Sequence, residues 1–530
     1  MNIYFIGMCI AMVAYVVIGM IVSRQVKDAN DFYVAGRRAP VLLIAGSMIA
    51  SYTSTGMFMG DAAQCYEGVF SSIILFAGMQ SAGYIIGAVF FGTYLRRSCV
   101  LTIPEFFGKR FCSNGMKTLS ALTAIIMMSV YLLSVMQGIG TLMYIVTGVD
   151  YNLCIALALI AFTLITVMSG SRGVLITDTI MSGVFTLALV IAVIYIAKNT
   201  GGWFGAVGSV ASNPDTASFL SWGGEPGPLY DTGAQNIIWG LNYGIVWMSV
   251  CMVGPWQSSR YLMAKNEHTV IRSAPVSAFG VFILEFLVGM AAVMVNVINP
   301  GMEDSSQVMI WAAMHLMPVI VGVILLTGVL SAGISSATTF LSLIGASVAN
   351  DMMSLRGKKS IAAGRLAMVI VSAIVLLLAV FNPPSIFWIM FLGGAIAASS
   401  WMPVAVASVF SKRVTKTGAF CGMLFGTLGC FGLKVFTSLK GITLPVYLDP
   451  SIVGIVCNVV AMIIGSALTQ VTEEEKAARA ALFVVPETEK KPEDVKRTFV
   501  WMKSSLCLGA VVCAVLLIFW VFPYLKNVVS

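Results

Sequence analysis

The sequence is short of charged residues and of residues that bind transition metals. Only 10% of its 530 residues are Asp, Glu, Lys or Arg, and only 2 are histidines. A soluble globular domain usually contains about 25% charged residues. The 11 cysteines include no CxxC pair, so neither a zinc site nor a redox motif is indicated. These absences argue against an ordinary soluble protein and against a metalloenzyme.

Long polar stretches are also rare. The two substantial ones, 199–235 and 470–498, are too short to bury a hydrophobic core of their own. With two histidines in the whole chain, a serine nucleophile is poorly provided with a base. The net charge of +8 is spread over many loops and is not gathered among aromatic residues, as a nucleic-acid-binding surface would require. We therefore expect neither an enzyme nor a nucleic-acid-binding protein.

Apolar residues dominate what remains. They make up 58% of the chain, and the mean hydropathy is +0.93. Apolar runs of about 20 residues recur, the length that a helix needs to cross the hydrocarbon core, whereas strands of a membrane barrel would alternate in polarity. We therefore predict an all-α, multi-pass protein of the cell membrane, surrounded by the lipid bilayer. The expected 14 spans are residues 2–22, 40–66, 69–95, 118–146, 151–169, 174–197, 236–258, 273–298, 318–349, 362–381, 385–410, 417–436, 450–469 and 500–523.

The basic residues predict the orientation of these spans. Of the 31 Lys and Arg residues, 26 lie in alternate loops. Lys and Arg accumulate in cytoplasmic loops of membrane proteins. Both termini and the 199–235 loop are therefore predicted to be extracytoplasmic, and the charged 470–498 connector is predicted to be cytoplasmic.

Two spans contain interruptions in matching places. The second carries a polar patch, ASYTSTG, at 50–56, and the seventh carries Gly254 and Pro255 shortly after Trp247 and Cys251. Interrupted helices five spans apart are typical of an inverted five-plus-five repeat, whose broken helices meet at a site in the middle of the membrane.

The ninth span contains an unusual group of hydroxyls in the sequence LSAGISSATTF. Ser335, Ser336, Thr338 and Thr339 lie within five positions, and the first, third and fourth share one helical face. Such hydroxyls often bond to their own helix or hold two helices together. Alternatively, they supply oxygen ligands to a dehydrated hard cation such as Na⁺.

Three acidic residues lie within predicted spans, where a charge is costly without a partner. Asp178, early in the sixth span, is either neutralised by a bound cation or caps a helix near Arg172. Asp61 and Glu285 are each either a proton-linked acid or a structural hydrogen-bonding group.

Seven features occur in a fixed order along nearly the whole chain. They are FYVAGRR (32–38), the interrupted second span, TIPEFFGKRF (102–111), SGSRGVLITD (169–178), GPWQSSRYLMAKN (254–266), AGISSATT (332–339) and GAFCGMLFG (418–426). In this order they resemble the sodium/solute symporter family. The GPWQSSR motif and the run at 393–419 are most similar to the branch of proline, pantothenate and acetate symporters.

The resemblance implies a LeuT-type inverted repeat with extra flanking helices. The expected organisation is a first helix and loop at 1–39, a first repeat at 40–198, an extracellular loop at 199–235, a second repeat at 236–411, and three additional helices with the 470–498 connector at 412–530. It also implies a sodium-coupled symporter that imports a small, carboxylate-bearing solute such as a monocarboxylate, an amino acid or a pantothenate-like molecule. A sugar or sialic acid symporter and, from another class, an ion channel are the alternatives.

Site residues also follow from the resemblance. The coupling ion, Na⁺, would be bound by the backbone oxygens of Ala50, Thr53 and Ala332 and the hydroxyls of Ser335 and Ser336. A second sodium, which some members bind, would lie at Asp178, Ser335, Thr338 and Thr339. The solute would contact residues near the interrupted helices, namely Tyr52, Ser54, Met57, Gln80, Gln137, Trp247, Cys251 and Trp256.

Overall fold

The computed structural model describes residues 2–23, 28–381 and 385–529. Arg24 and Lys27, two of the basic residues used to predict orientation, lie outside the described residues. The described chain is almost entirely helical and contains no β-strand, only one isolated bridge between Ala39 and Ala264. The predicted all-α class is confirmed.

The long helices follow the order predicted from the sequence. Their bounds are α1 Ile3–Ser23, α2 Val41–Tyr52 with Gly56–Tyr66, α3 Phe70–Arg97, α4 Asn114–Thr147, α5 Tyr151–Val167, α6 Gly170–Asn199, α7 Gly233–Met263, α8 Glu267–Ile298, α9 Val319–Met352, α10 Gly357–Phe381, α11 Ile386–Phe410, α12 Lys416–Lys440, α13 Pro450–Ala467 and α14 Pro492–Val528. Shorter helices occupy Ala29–Val34, Ile103–Arg110, Trp203–Ser212, Val308–His315 and Glu473–Ala481.

The number of membrane-crossing helices depends on how two of these are counted. In the described chain, 12 helices are long and apolar enough to cross a membrane, and α2 is a thirteenth if its halves, bent by 47°, form one span. The remaining one of the 14 expected spans is α5, which is shorter than the others and continues into α6 at Gly170. Gly170 has φ 58°, and a Cβ there would lie 2.6 Å from the Phe32 ring. The expected loop at 170–173 is therefore only a one-residue break.

The break in α2 lies where hydroxyl side chains compete with the helical backbone. The first half ends at Tyr52, and Thr53 is extended, with ψ 107°. Ser54 Oγ then accepts the Gly56 N–H at 3.0 Å, a local bond that offers the backbone an alternative to the helix. The bend that the polar patch predicted is confirmed.

The break in α7 has a different cause. Gly254 leaves the helical region with ψ 136°, and Pro255 begins the second half. Proline has no N–H to continue the preceding helix but suits the first position of a new one. The interruption predicted here is also confirmed, and the second half extends to Met263, beyond the expected span end at 258.

Candidate functional site

Glycines bring α4 and α9 close to the break in α2. A Cβ at Gly138 would lie 2.6 Å from Thr55 Cβ, and a Cβ at Gly333 would lie 2.9 Å from Thr55 Cγ2. Because larger residues would clash at both positions, the two helices can pack closely around the break. The hydroxyl group of α9 therefore lies beside the unwound part of α2.

The helical hydrogen-bond ladder stops at this break. Thr53 N–H donates to the Ile49 carbonyl at 2.9 Å, and Phe58 N–H donates to the Ser54 carbonyl at 3.4 Å. Within the described chain, neither the Ala50 carbonyl nor the Thr53 carbonyl accepts a hydrogen bond from the N–H of the residue four positions later. Backbone oxygens are thus left available on the side of α2 that the sequence predicted to bind sodium.

Two hydroxyls, one in the α2 break and one on α9, are also unpaired. Neither Ser336 Oγ nor Thr53 Oγ1 has a hydrogen-bond partner among the described residues, and both residues are 0% exposed. Leaving a buried polar group unpaired costs about 1–3 kcal/mol. A hard cation that prefers oxygen ligands would satisfy such a group. Together with the Ala332 carbonyl one helical turn away, this set of oxygens is chemically suited to Na⁺.

Asp178 forms a second, fully paired cluster near the first. Arg260 Nη2 lies 2.9 Å from Asp178 Oδ2, and both side chains are buried. Ser335 Oγ donates to Asp178 Oδ1 at 2.7 Å, and Ser47 Oγ donates to Oδ2 at 2.7 Å. Arg260 Nη2 also donates to Thr339 Oγ1 at 2.7 Å. The charge of Asp178 is therefore balanced by a guanidinium.

Arg260 is one of the 26 basic residues that the sequence analysis assigned to cytoplasmic loops, and it was not predicted as a site residue. That assignment is wrong for Arg260. It lies in the second half of α7 and is 2% exposed. The suggested alternative partner of Asp178, Arg172, instead lies 3.9 Å from Asp31. In the sequence, Pro255 suits the start of a new helix. This was the signal that α7 continues past residue 258 and includes Arg260. Thr338, named for a second sodium, donates its hydroxyl to the Ser335 carbonyl at 3.0 Å.

An aromatic cluster also lies beside the α2 break. Tyr131 is at its centre: its hydroxyl is 3.1 Å from Ser54 Oγ, and its ring centroid lies 5.9 Å from Trp247 and 5.4 Å from Trp256. Tyr52 packs edge-on against Trp247 at 5.4 Å. Sequence reasoning missed Tyr131, although a hydroxyl in the apolar middle of α4 was a usable signal.

The four remaining residues predicted to contact solute are buried and have other neighbours. Gln137 Oε1 accepts the Ser385 N–H at 3.1 Å. Gln80 lies beside the carboxyl of Glu285. Cys251 lies against Gly83 and Tyr84 in α3, and Met57 is a buried residue next to the α2 break. The structure thus groups Tyr52, Ser54, Trp247 and Trp256 around Tyr131.

Comparison with known proteins identifies the family of the chain. The sequence pattern of the sodium:solute symporter family matches residues 32–426. The chain belongs to this family. A relative of this symporter is the osmoregulated proline transporter OpuE of Bacillus subtilis (strain 168), which is 24% identical over 516 residues, covering 91% of this chain and 97% of OpuE.

Solved structures show the same fold. A Na⁺-coupled sialic acid symporter in a substrate-bound, outward-open state has a TM-score of 0.73 and 18% identity, covering 89% of this chain and 99% of that one. Mhp1, a nucleobase-cation-symport-1 family transporter in a closed conformation with bromovinylhydantoin bound, has a TM-score of 0.55 and 13% identity, covering 85% and 98%. The predicted family and LeuT-type fold are confirmed.

Proposed function

We propose that this symporter uses the sodium gradient to import a small carboxylate-bearing solute by alternating access. Membership of the family makes Na⁺ the coupling ion and a solute its cargo. The single observation that carries the proposal is the set of unpaired, buried oxygens where α9 meets the break in α2.

The sodium ion is bound, in this proposal, by the carbonyls of Ala50, Thr53 and Ala332 and the hydroxyls of Ser335 and Ser336. Ser336 has no other partner among the described residues. Ser335 uses its proton for the bond to Asp178, but a hydroxyl that donates still has lone pairs free to bind a cation.

One sodium ion per cycle fits this arrangement better than two. Arg260 already supplies the positive charge beside Asp178 and the bond to Thr339. A second sodium at these residues therefore requires Arg260 to move away first. We propose that the second site is closed while this ion pair is intact.

The solute binds, in this proposal, at the aromatic cluster around Tyr131. The indole N–H of Trp256 has no hydrogen-bond acceptor among the described residues, and that of Trp247, next to Tyr243, forms no hydrogen bond of good geometry there, although both side chains are buried. A carboxylate accepts strongly from such donors because it is charged. The relative OpuE is a transporter of proline, which also carries a carboxylate.

Coupling follows from the position of the ion between α2 and α9. Sodium that bridges the two helices holds the α2 break in one shape, and Tyr52 and Ser54 in that break contact the aromatic cluster. Ion and solute thus favour the same conformation, and each must raise the affinity for the other by the same factor. Rocking of one repeat against the other then exposes the site to either side.

Uptake into proteoliposomes tests the proposal. Purified protein is reconstituted, an inward sodium gradient is imposed, and accumulation of labelled proline, acetate, pantothenate, glucose and sialic acid is compared with accumulation under a choline gradient. We expect sodium-dependent accumulation of a carboxylate above the external concentration. Accumulation of glucose alone would overturn the solute class, and equilibration without accumulation would indicate a channel.

A further inference from the structure

Two acidic side chains that the proposed transport site does not use lie together inside the membrane. Asp61, in the second half of α2, is 2% exposed, and Glu285, in α8, is 0% exposed. One turn beyond each of them, a Cβ at Gly289 in α8 would lie 3.0 Å from Cys65 Sγ in α2, so the two helices pack closely here and the two carboxyl groups are neighbours. The two residues lie 224 positions apart in sequence, so only the tertiary structure brings them into contact.

The neighbouring polar groups leave this pair incompletely satisfied. Tyr243 donates its hydroxyl to Asp61 Oδ1 at 2.8 Å. Neither oxygen of Glu285 accepts a hydrogen bond from a described residue. Gln80, from α3, lies beside Glu285 and is 0% exposed, yet neither atom of its amide forms a hydrogen bond of good geometry in the described chain.

Among the described residues, no positive charge balances the two carboxyls. The ionisable groups that interact with them come from α2, α4 and α7, and none of them is basic. In the described chain these groups are Tyr52, Cys65, Tyr131 and Tyr243. Two ionised carboxylates in contact repel each other strongly in a buried site, so such pairs hold a proton between them.

The packing around the pair is too close for a larger occupant. One turn along α8, a Cβ at Gly289 would lie 3.0 Å from Cys65 Sγ. The ring of Tyr243 is held between Phe76 at 4.4 Å and Trp239 at 4.9 Å. A proton needs no cavity in this packing, whereas a hydrated metal ion or a solute amine would require these side chains to move apart.

We propose that Asp61 and Glu285 form a binding site for one exchangeable proton, held as a carboxylic acid–carboxylate hydrogen bond between α2 and α8. Protonation joins the outer half of α2, from the first predicted repeat, to α8, from the second. Loss of the proton leaves two like charges in contact, which drives these helices apart. Proton occupancy therefore stabilises the close packing of α2 against α8, independently of which solute is carried.

Infrared spectroscopy of the purified protein tests this site without any transport. We expect a protonated carboxyl C=O band at about 1,700–1,750 cm⁻¹ that shifts in D2O and disappears on titration to high pH. Glu285→Gln should remove the part of the band that comes from this pair, because Asp61 then faces a neutral amide and can ionise. Asp351→Asn, which removes a different buried carboxyl, is the control and should retain that part of the band. Retention of the full band in Glu285→Gln would overturn the proposal.

A second readout separates a proton from a metal ion. If NaCl, but not choline chloride, removes the band at constant pH, the occupant is sodium and the proposal is wrong. Once a transported solute is known, uptake by the original protein should fall as pH rises through the range in which the band is lost, whereas Glu285→Gln should show a flatter profile. An equally steep profile in Glu285→Gln would count against the link to conformation. Failure of uptake altogether would affect the proposed function but not the infrared result.

Discussion

The two polar clusters on α9 differ in how completely their atoms are paired. Around Asp178, the carboxylate is bonded by Ser335, Ser47 and Arg260. At the α2 break, Ser336 and Thr53 each have an unpaired hydroxyl. Both clusters are buried, and both draw on the same short run of hydroxyl residues. The first cluster is therefore self-sufficient, whereas the second has buried oxygens that no described residue satisfies.

This difference predicts opposite behaviour on mutation. Removing one member of a paired, buried charge cluster leaves another charge unbalanced, so stability should fall sharply. Removing a hydroxyl that has no protein partner should cost little stability but should weaken binding of the missing ligand. The predictions below run from the largest expected effect to the smallest.

Arg260→Gln should have the largest effect. It removes the guanidinium 2.9 Å from Asp178, and breaking a buried ion pair costs about 3–5 kcal/mol. Thermal unfolding in detergent, without sodium, should show a large drop in Tm.

The double variant Asp178→Asn/Arg260→Gln is the control for this effect. It should recover much of the lost stability, because no unbalanced charge remains. We also expect NaCl to raise the Tm of Arg260→Gln more than that of the original protein, since Asp178 is then free to bind the ion. Equal responses to NaCl would contradict the idea that Arg260 closes a second sodium site.

Gly333→Ala should have the next largest effect. The added Cβ would lie 2.9 Å from Thr55 Cγ2 and 2.8 Å from Ile139 Cγ1, and such overpacking typically costs about 1–3 kcal/mol. It should also separate α9 from the α2 break and so raise the sodium concentration needed for uptake. Gly183→Ala in α6, where a Cβ would meet nothing within 4 Å, is the matched control and should change neither quantity.

Ser336→Ala should raise the sodium concentration for half-maximal uptake by about tenfold, equivalent to about 1.4 kcal/mol. Its Tm without sodium should hardly change, because the hydroxyl has no partner in the described chain. Ser399→Ala in α11, whose hydroxyl bonds the Ala395 carbonyl of its own helix at 2.7 Å, should leave the sodium dependence unaltered. An unchanged sodium requirement in Ser336→Ala would remove this residue from the proposed site.

Thr338→Val should have the smallest effect. Among the described residues, its hydroxyl bonds only to the Ser335 carbonyl in the same helix, at 3.0 Å, and loss of such a local bond should change stability by no more than about 1 kcal/mol. The ratio of sodium to solute, measured from parallel isotope fluxes, should stay the same. A reduced ratio would show that Thr338 does bind a second ion.

The elements that the sequence predicted well are those with local causes. The α2 break follows from hydroxyls near Ser54 that bond to nearby backbone, and the α7 break follows from Gly254 and Pro255. Long apolar runs predicted nearly every helix in order. These features depend on residues within a few positions of one another, so a pattern in the chain is sufficient to reveal them.

The features that were missed depend on distant residues. From the sequence, Arg260 looked like a charged residue of a cytoplasmic loop, yet it pairs with Asp178, 82 positions earlier. Tyr131 looked like one more residue of an apolar span, yet it contacts both Trp247 and Trp256. In each case the partner comes from another helix, and no spacing along the chain indicates which helices will be neighbours.

The sequence by itself determined that the chain is a bundle of membrane helices with two interrupted spans, because hydropathy, glycine, proline and local hydroxyls act over a single helix. It also placed hydroxyls and carboxyls inside the membrane. Only the tertiary structure decided which of them are satisfied: Asp178 is paired with Arg260, whereas Ser336 and Glu285 have no hydrogen-bond partner for their side-chain oxygens among the described residues. The reason is that in a dry interior the state of a polar group is set by the atoms that packing places around it.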